Sequence, residues 1–154
     1  MKKIRMILIV CCIGFFAFAG DTNFVAAFQA MWQTHNATNI LVFTEQNVAT
    51  NKSPETLFAR GCIAIDLQGW GAGATNYWEE AAQMIDTNGT YSAVGKTNII
   101  KTIRWLQEGI TDPSDPLLPS WNTNDHIGVF ALSPDNPMFY KVLQAISTIP
   151  PAKE

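Results

Sequence analysis

The chain has 154 residues, 47% of them hydrophobic, with ten Lys/Arg against thirteen Asp/Glu and a formal net charge of −3. That is enough chain for one domain with its own core. The acidic balance, with no basic stripe beyond the first few residues, argues against nucleic acid or an anionic membrane surface as partner.

At the start, Lys2, Lys3 and Arg5 precede an apolar run from Met6 to Phe18, and Ala17-Phe18-Ala19 has small residues at the cleavage positions. This order predicts a secretory signal peptide over residues 1–19. The run falls short of the roughly 20 residues a spanning helix needs. The product, Gly20 to Glu154, is expected to be secreted or periplasmic and free of the membrane once the leader is cut. Its charge would be about −6, because three basic residues leave with the leader. Cys11 and Cys12 leave too, so Cys62 stands alone and no internal disulfide can form.

Helix signals dominate the remainder. Asn23 to Gln33 reads as a helix with Phe24, Ala27, Phe28, Met31 and Trp32 on one face. Asn36 to Val48 is a second, carrying Ile40, Leu41, Phe43 and Val48, although its Ile-Leu-Val-Phe run also suits a strand. Ser53-Pro54-Glu55 joins a capping serine, a proline at the first helical position and an acidic residue at the positive end of the dipole. A helix to about Gln68 follows, with a strand at Cys62 to Asp66 as its rival. Gly69-Trp70-Gly71-Ala72-Gly73 is a break.

Ala74 to Ile85 is helical again, with Tyr77, Trp78, Ala81, Ala82 and Ile85 inward, and Asn88-Gly89 turns the chain. Thr97 to Ile110 has the clearest stripe: Ile99, Ile103, Leu106 and Ile110 against Lys101, Arg104, Gln107 and Glu108. Residues 111–126 form a long irregular loop with three prolines and Trp121, and long loops in small domains are often functional. Asn136-Pro137 opens a last helix to about Ser147, with Met138, Phe139, Val142, Leu143 and Ile146 inward. The tail beyond Pro150-Pro151 is expected to fray.

The segment from Pro54 to Asp86 resembles the tetratricopeptide-type helical hairpin. Leu57 and Gly61 stand where that family sets a large and a small residue in its first helix, and Ala74, Trp78 and Ala81 match the spacing of its second. Ala37 and Leu41 repeat part of the pattern 37 residues earlier, against a family period of about 34 residues. Asp86 stands where the family has a proline, and Arg60 where it has a leucine. The resemblance covers about a third of the exported chain and implies a scaffold that binds peptides or protein segments without catalysis.

Reaction chemistry is thin. Gly95-Lys96-Thr97 opens a helix as a phosphate loop would, but position 90 is threonine where that motif needs glycine. Asn122, Asn124, Asp125, Asp112 and Asp115 offer hard oxygens, yet Gly128 is out of register for a calcium loop. No metal and no cofactor are expected. Glu79 and Glu80 are adjacent, so their side chains diverge by about 100° on a helix and do not face one substrate. The one nucleophile and base on offer are Cys62 and His126, with His35 as a second base.

The expectation is thus an all-α single domain of five to six helices packed as antiparallel hairpins. The hairpin core covers about 22–110 and the last helix about 136–147. Its function is expected to be non-catalytic binding of a protein or peptide partner through Trp70, Tyr77 and Trp121, tryptophan and tyrosine being the usual anchors of interfaces. The competing reading is a small cysteine hydrolase using Cys62 with His126.

Overall fold

Six α-helices account for most of the residues that the computed structural model of this protein describes, which are 21–69, 72–108 and 133–153. The expected leader at 1–19, Trp70 and the expected loop at 111–126 lie outside the described residues. The helices are α1 (Asp21–Trp32), α2 (Ala37–Thr50), α3 (Pro54–Gln68), α4 (Ala72–Thr87), α5 (Ala93–Glu108) and α6 (Pro137–Ser147). The domain is all-α, and both segments that could have been strands are helical. Extended pairing among the described residues is one isolated antiparallel bridge, Tyr91 with Pro151.

Local chemistry sets most of the boundaries. Asn36 Oδ1 accepts from the Asn39 amide at 3.0 Å and starts α2. At α3 the capping is reciprocal. The Ser53 amide donates to Thr56 Oγ1 at 2.9 Å, the Thr56 amide donates to Ser53 Oγ at 3.3 Å, and Pro54 has no amide to leave unpaired. Gly69 ends α3 at φ 83°, where a side chain would be strained. Asn136 caps α6 through the Met138 amide at 2.9 Å, again followed by proline.

Two helices begin earlier than their apolar pattern suggests. In α4 the first turn takes in Gly73, where the amides have no partner within the helix in any case. In α5 the start moves to Ala93 because Ser92 Oγ accepts from the Gly95 amide at 3.2 Å, the bond of a capping serine.

The core is organised around α3. Every residue from Pro54 to Ile65 is buried, and the helix packs against α1, α2, α4 and α6. A run of aromatic rings ties these elements together. Phe43 stacks on Phe24 at 6.0 Å, Phe24 meets Phe28 at 6.0 Å, and Phe28 meets Phe139 at 5.2 Å. Phe139 stacks on Phe58 at 6.0 Å and Phe58 on Trp78 at 6.3 Å. The rings thus link α2, α1, α6, α3 and α4 in turn. All five inward residues read for α6 are buried, as are Ile99, Ile103 and Leu106 of α5. Thr44 joins them because its hydroxyl donates to the Ile40 and Leu41 carbonyls.

A glycine lets α3 and α4 approach closely. Gly61 lies under the fully buried indole of Trp78, whose Nε1 donates to the Phe58 carbonyl at 3.2 Å. Removing that indole from water buries roughly 200 Å², on the order of 5 kcal/mol. The tail does not run free as its prolines suggest. Ser92 N donates to the Pro150 carbonyl at 2.7 Å, and Ala152 N donates to the Thr90 carbonyl at 2.8 Å.

A Cβ at position 61 would sit 2.6 Å from Trp78 Cδ1 and 3.1 Å from the Ala74 carbonyl. Gly61→Ala is therefore expected to destabilise the fold by about 1–3 kcal/mol through overpacking. Chemical denaturation followed by tryptophan fluorescence checks this, and an unchanged midpoint would refute the close approach.

Candidate functional site

Of the residues read as partner-binding, Tyr77 is described, and Trp70 and Trp121 lie outside the described residues. Tyr77 is half-buried on α4. Its ring lies under the Arg60 guanidinium of α3, 5.3 Å from the centroid. Arg60 in turn donates from Nη2 to Glu45 Oε1 of α2 at 3.0 Å. Three helices thus contribute one side chain each to a Glu45–Arg60–Tyr77 row. Lys52, just beyond α2, pairs with Glu80 one turn after Tyr77 on α4.

Burial is unequal along this row. The Arg60 side chain is 6% exposed and the Glu45 side chain 57%. Nε and Nη1 of Arg60 are buried with no hydrogen-bond partner. A buried guanidinium normally needs several acceptors to offset its lost hydration. Here one carboxylate and one aromatic face supply the compensation, and a cation over a tyrosine contributes about 1–2 kcal/mol.

Cys62 is two residues from Arg60 and points the other way, into the core with Phe58, Trp78 and Ile65. Burial pushes its thiol well above the ordinary range. A side-chain contact with Trp78 opposes that shift, and the charge of Asp66 adds to it. His126 lies outside the described residues. His35 is exposed in the turn between α1 and α2 at φ 51°, away from the core that holds Cys62.

Lys96, which the phosphate-loop spacing singles out, donates from Nζ to the Asp86 and Asn88 carbonyls at 2.9 and 3.3 Å. It thereby neutralises the negative end of α4. The open side of Gly95 is filled by Ser92, Ile149 and Pro150. Among the described residues no three His, Cys, Asp or Glu side chains come together as a metal site, and no helix is long and apolar enough to cross a membrane.

Sequence reading noted Arg60 as a departure from a family pattern and did not single out Glu45. The signal was nonetheless present. Arg60 is the one charge in the stretch from Thr56 to Ile65, and a charge inside so apolar a helix needs a dedicated partner. Compared with family models, curated proteins and solved structures, the chain matches none.

The raised Cys62 thiol has a sign that can be checked. The folded state keeps its proton where the unfolded chain, with a pKa of about 8.5, has lost it. The thiol's contribution is therefore whole below about pH 8.5 and declines as the pH rises further, by up to about 1.4 kcal/mol per pH unit. Unfolding midpoints between about pH 8.5 and 9.5 should fall in the wild type. They should fall less in Cys62→Ala, which starts from a lower plateau. Tyr140, raised by burial and by Asp135, acts in the same direction only at higher pH. A thiol reagent at neutral pH should stay silent until denaturant is added.

Proposed function

We propose that this protein is an exported, non-catalytic interaction domain that binds a protein or peptide partner, with Tyr77 in the contact surface. The observation that carries the reading is the Arg60–Tyr77 pair. It sets a half-buried aromatic ring against a nearly enclosed guanidinium with unpartnered donors at the junction of α2, α3 and α4, and aromatic and arginine side chains are the usual anchors of interfaces. The burial of Cys62 supports the same reading, since an unactivated, enclosed thiol is a poor nucleophile.

The likeness of α3 and α4 to a tetratricopeptide hairpin supports it as well, through the small Gly61 lodged under the large Trp78. The likeness is local. In an open solenoid each repeat touches only its neighbours, whereas α6 returns to α1 and α3 and closes the domain on itself. The scaffold we propose is therefore a closed helical domain with one hairpin edge available.

Immobilised protein incubated with an envelope extract of its own source should retain a partner. Tyr77→Ala should retain it at least fivefold less, about the cost of one aromatic anchor at 1 kcal/mol. Equal recovery on both surfaces removes Tyr77 from the contact. Recovery of nothing on either, together with rapid native modification of Cys62, turns the reading toward the hydrolase.

A further inference from the structure

Arg60 is bound more weakly than its position demands. The side chain is nearly enclosed, yet Nη2 alone has an acceptor, and that acceptor is the mostly exposed Glu45. Nε and Nη1 are buried and unpartnered. A guanidinium is a planar fork built to take carboxylates two bonds at a time. Both two-donor edges of the fork, Nε–Nη2 and Nη1–Nη2, run through the nitrogen that Glu45 holds, so neither is filled while Glu45 stays.

The surroundings choose the sign and shape of what would fill it. Tyr77 closes one face of the guanidinium plane, so an incoming acceptor must approach along the edge. Lys52, beyond the end of α2, is already paired with Glu80 of α4. An amide or carbonyl would satisfy one donor, whereas a carboxylate satisfies two and brings the charge that a buried cation lacks. Glu45 is the group that has to yield. It is held at one point, and more than half of its side chain is in water, so it can exchange with a second carboxylate that takes its place on the guanidinium as it leaves.

We infer that Arg60 is a carboxylate-recognition site for an acidic side chain of a partner peptide, and that Glu45 occupies it in the free protein as an internal placeholder. The inference rests on the interaction-domain reading and gives that partner its chemistry. Because the whole chain is net negative, a polyanion is not drawn in from a distance. The attraction is local and desolvated, and therefore weakly screened by salt.

The test follows the Arg60 Nε–H signal by two-dimensional NMR, identified by its loss in Arg60→Lys. The protein is titrated with a tetraglutamate peptide blocked at both ends, and with its tetraglutamine counterpart. Tetraglutamate should shift the Arg60 signal saturably and tetraglutamine should not. Glu45→Gln, on an exposed position that leaves the core intact, should tighten tetraglutamate binding about tenfold by removing the competitor. Should Arg60→Lys fail to fold, the Glu45→Gln comparison decides alone. No shift in Glu45→Gln, or shifts confined to surface lysines and lost in high salt, overturns the inference. A captured envelope partner that binds Glu45→Gln and wild type equally, with no peptide effect, sinks the placeholder and leaves the interaction domain standing. Saturable peptide binding without any captured partner does the reverse.

Discussion

The enclosure of α3 is the constraint on which the rest of this fold depends. A helix whose residues from Pro54 to Ile65 are all buried has no solvent face, so its neighbours must approach on every side. Gly61 makes the approach of α4 achievable, because the Trp78 indole occupies the volume a side chain would claim. From that contact the aromatic rings continue through Phe58 and Phe139 to Phe28, Phe24 and Phe43. Helices far apart in the chain are thereby held to one another. Trp32 adds a polar tie at the edge, donating to Asp135 at 2.7 Å and joining α1 to the segment before α6.

Enclosure also decides which chemistry α3 can present. Cys62 and Arg60 are two residues apart, so their side chains diverge by about 200° around the helix axis. The thiol faces the core, where desolvation keeps it protonated. The guanidinium faces the junction with α2 and α4, where Glu45 and Tyr77 meet it. One helix thus buries its nucleophile and turns its cation toward an edge. That division withdraws the thiol from solvent, and it is a consequence of helical periodicity rather than of any special motif.

The ends of the helices show the same economy with polar groups. Lys96 spends its charge on the carbonyls that close α4. The chain's own tail covers Gly95 and pairs with Thr90 and Ser92. A spacing that resembles a nucleotide loop is thus used for holding α4, α5 and the tail together. The polar side chain left short of acceptors among the buried described residues is that of Arg60.

Much of the fold was legible in the residues. Ser53-Pro54 and Asn136-Pro137 carry their own start signals, and the stripes of α5 and α6 their inward faces, because capping and amphipathic burial act within a few residues of chain. The rival strand at Cys62 to Asp66 could not be dismissed locally. A helix enclosed on all sides has apolar residues on every face and so lacks a periodic stripe. The Arg60 junction was not legible either, since Glu45, Arg60 and Tyr77 lie 15 and 17 residues apart along the chain and meet only once α2, α3 and α4 have packed. Composition and short-range patterning thus settled that the chain would coil into helices and where most of them begin. Which side chains face one another, and which charge is left underserved in the interior, was settled by packing between helices, whose contacts no local signal encodes.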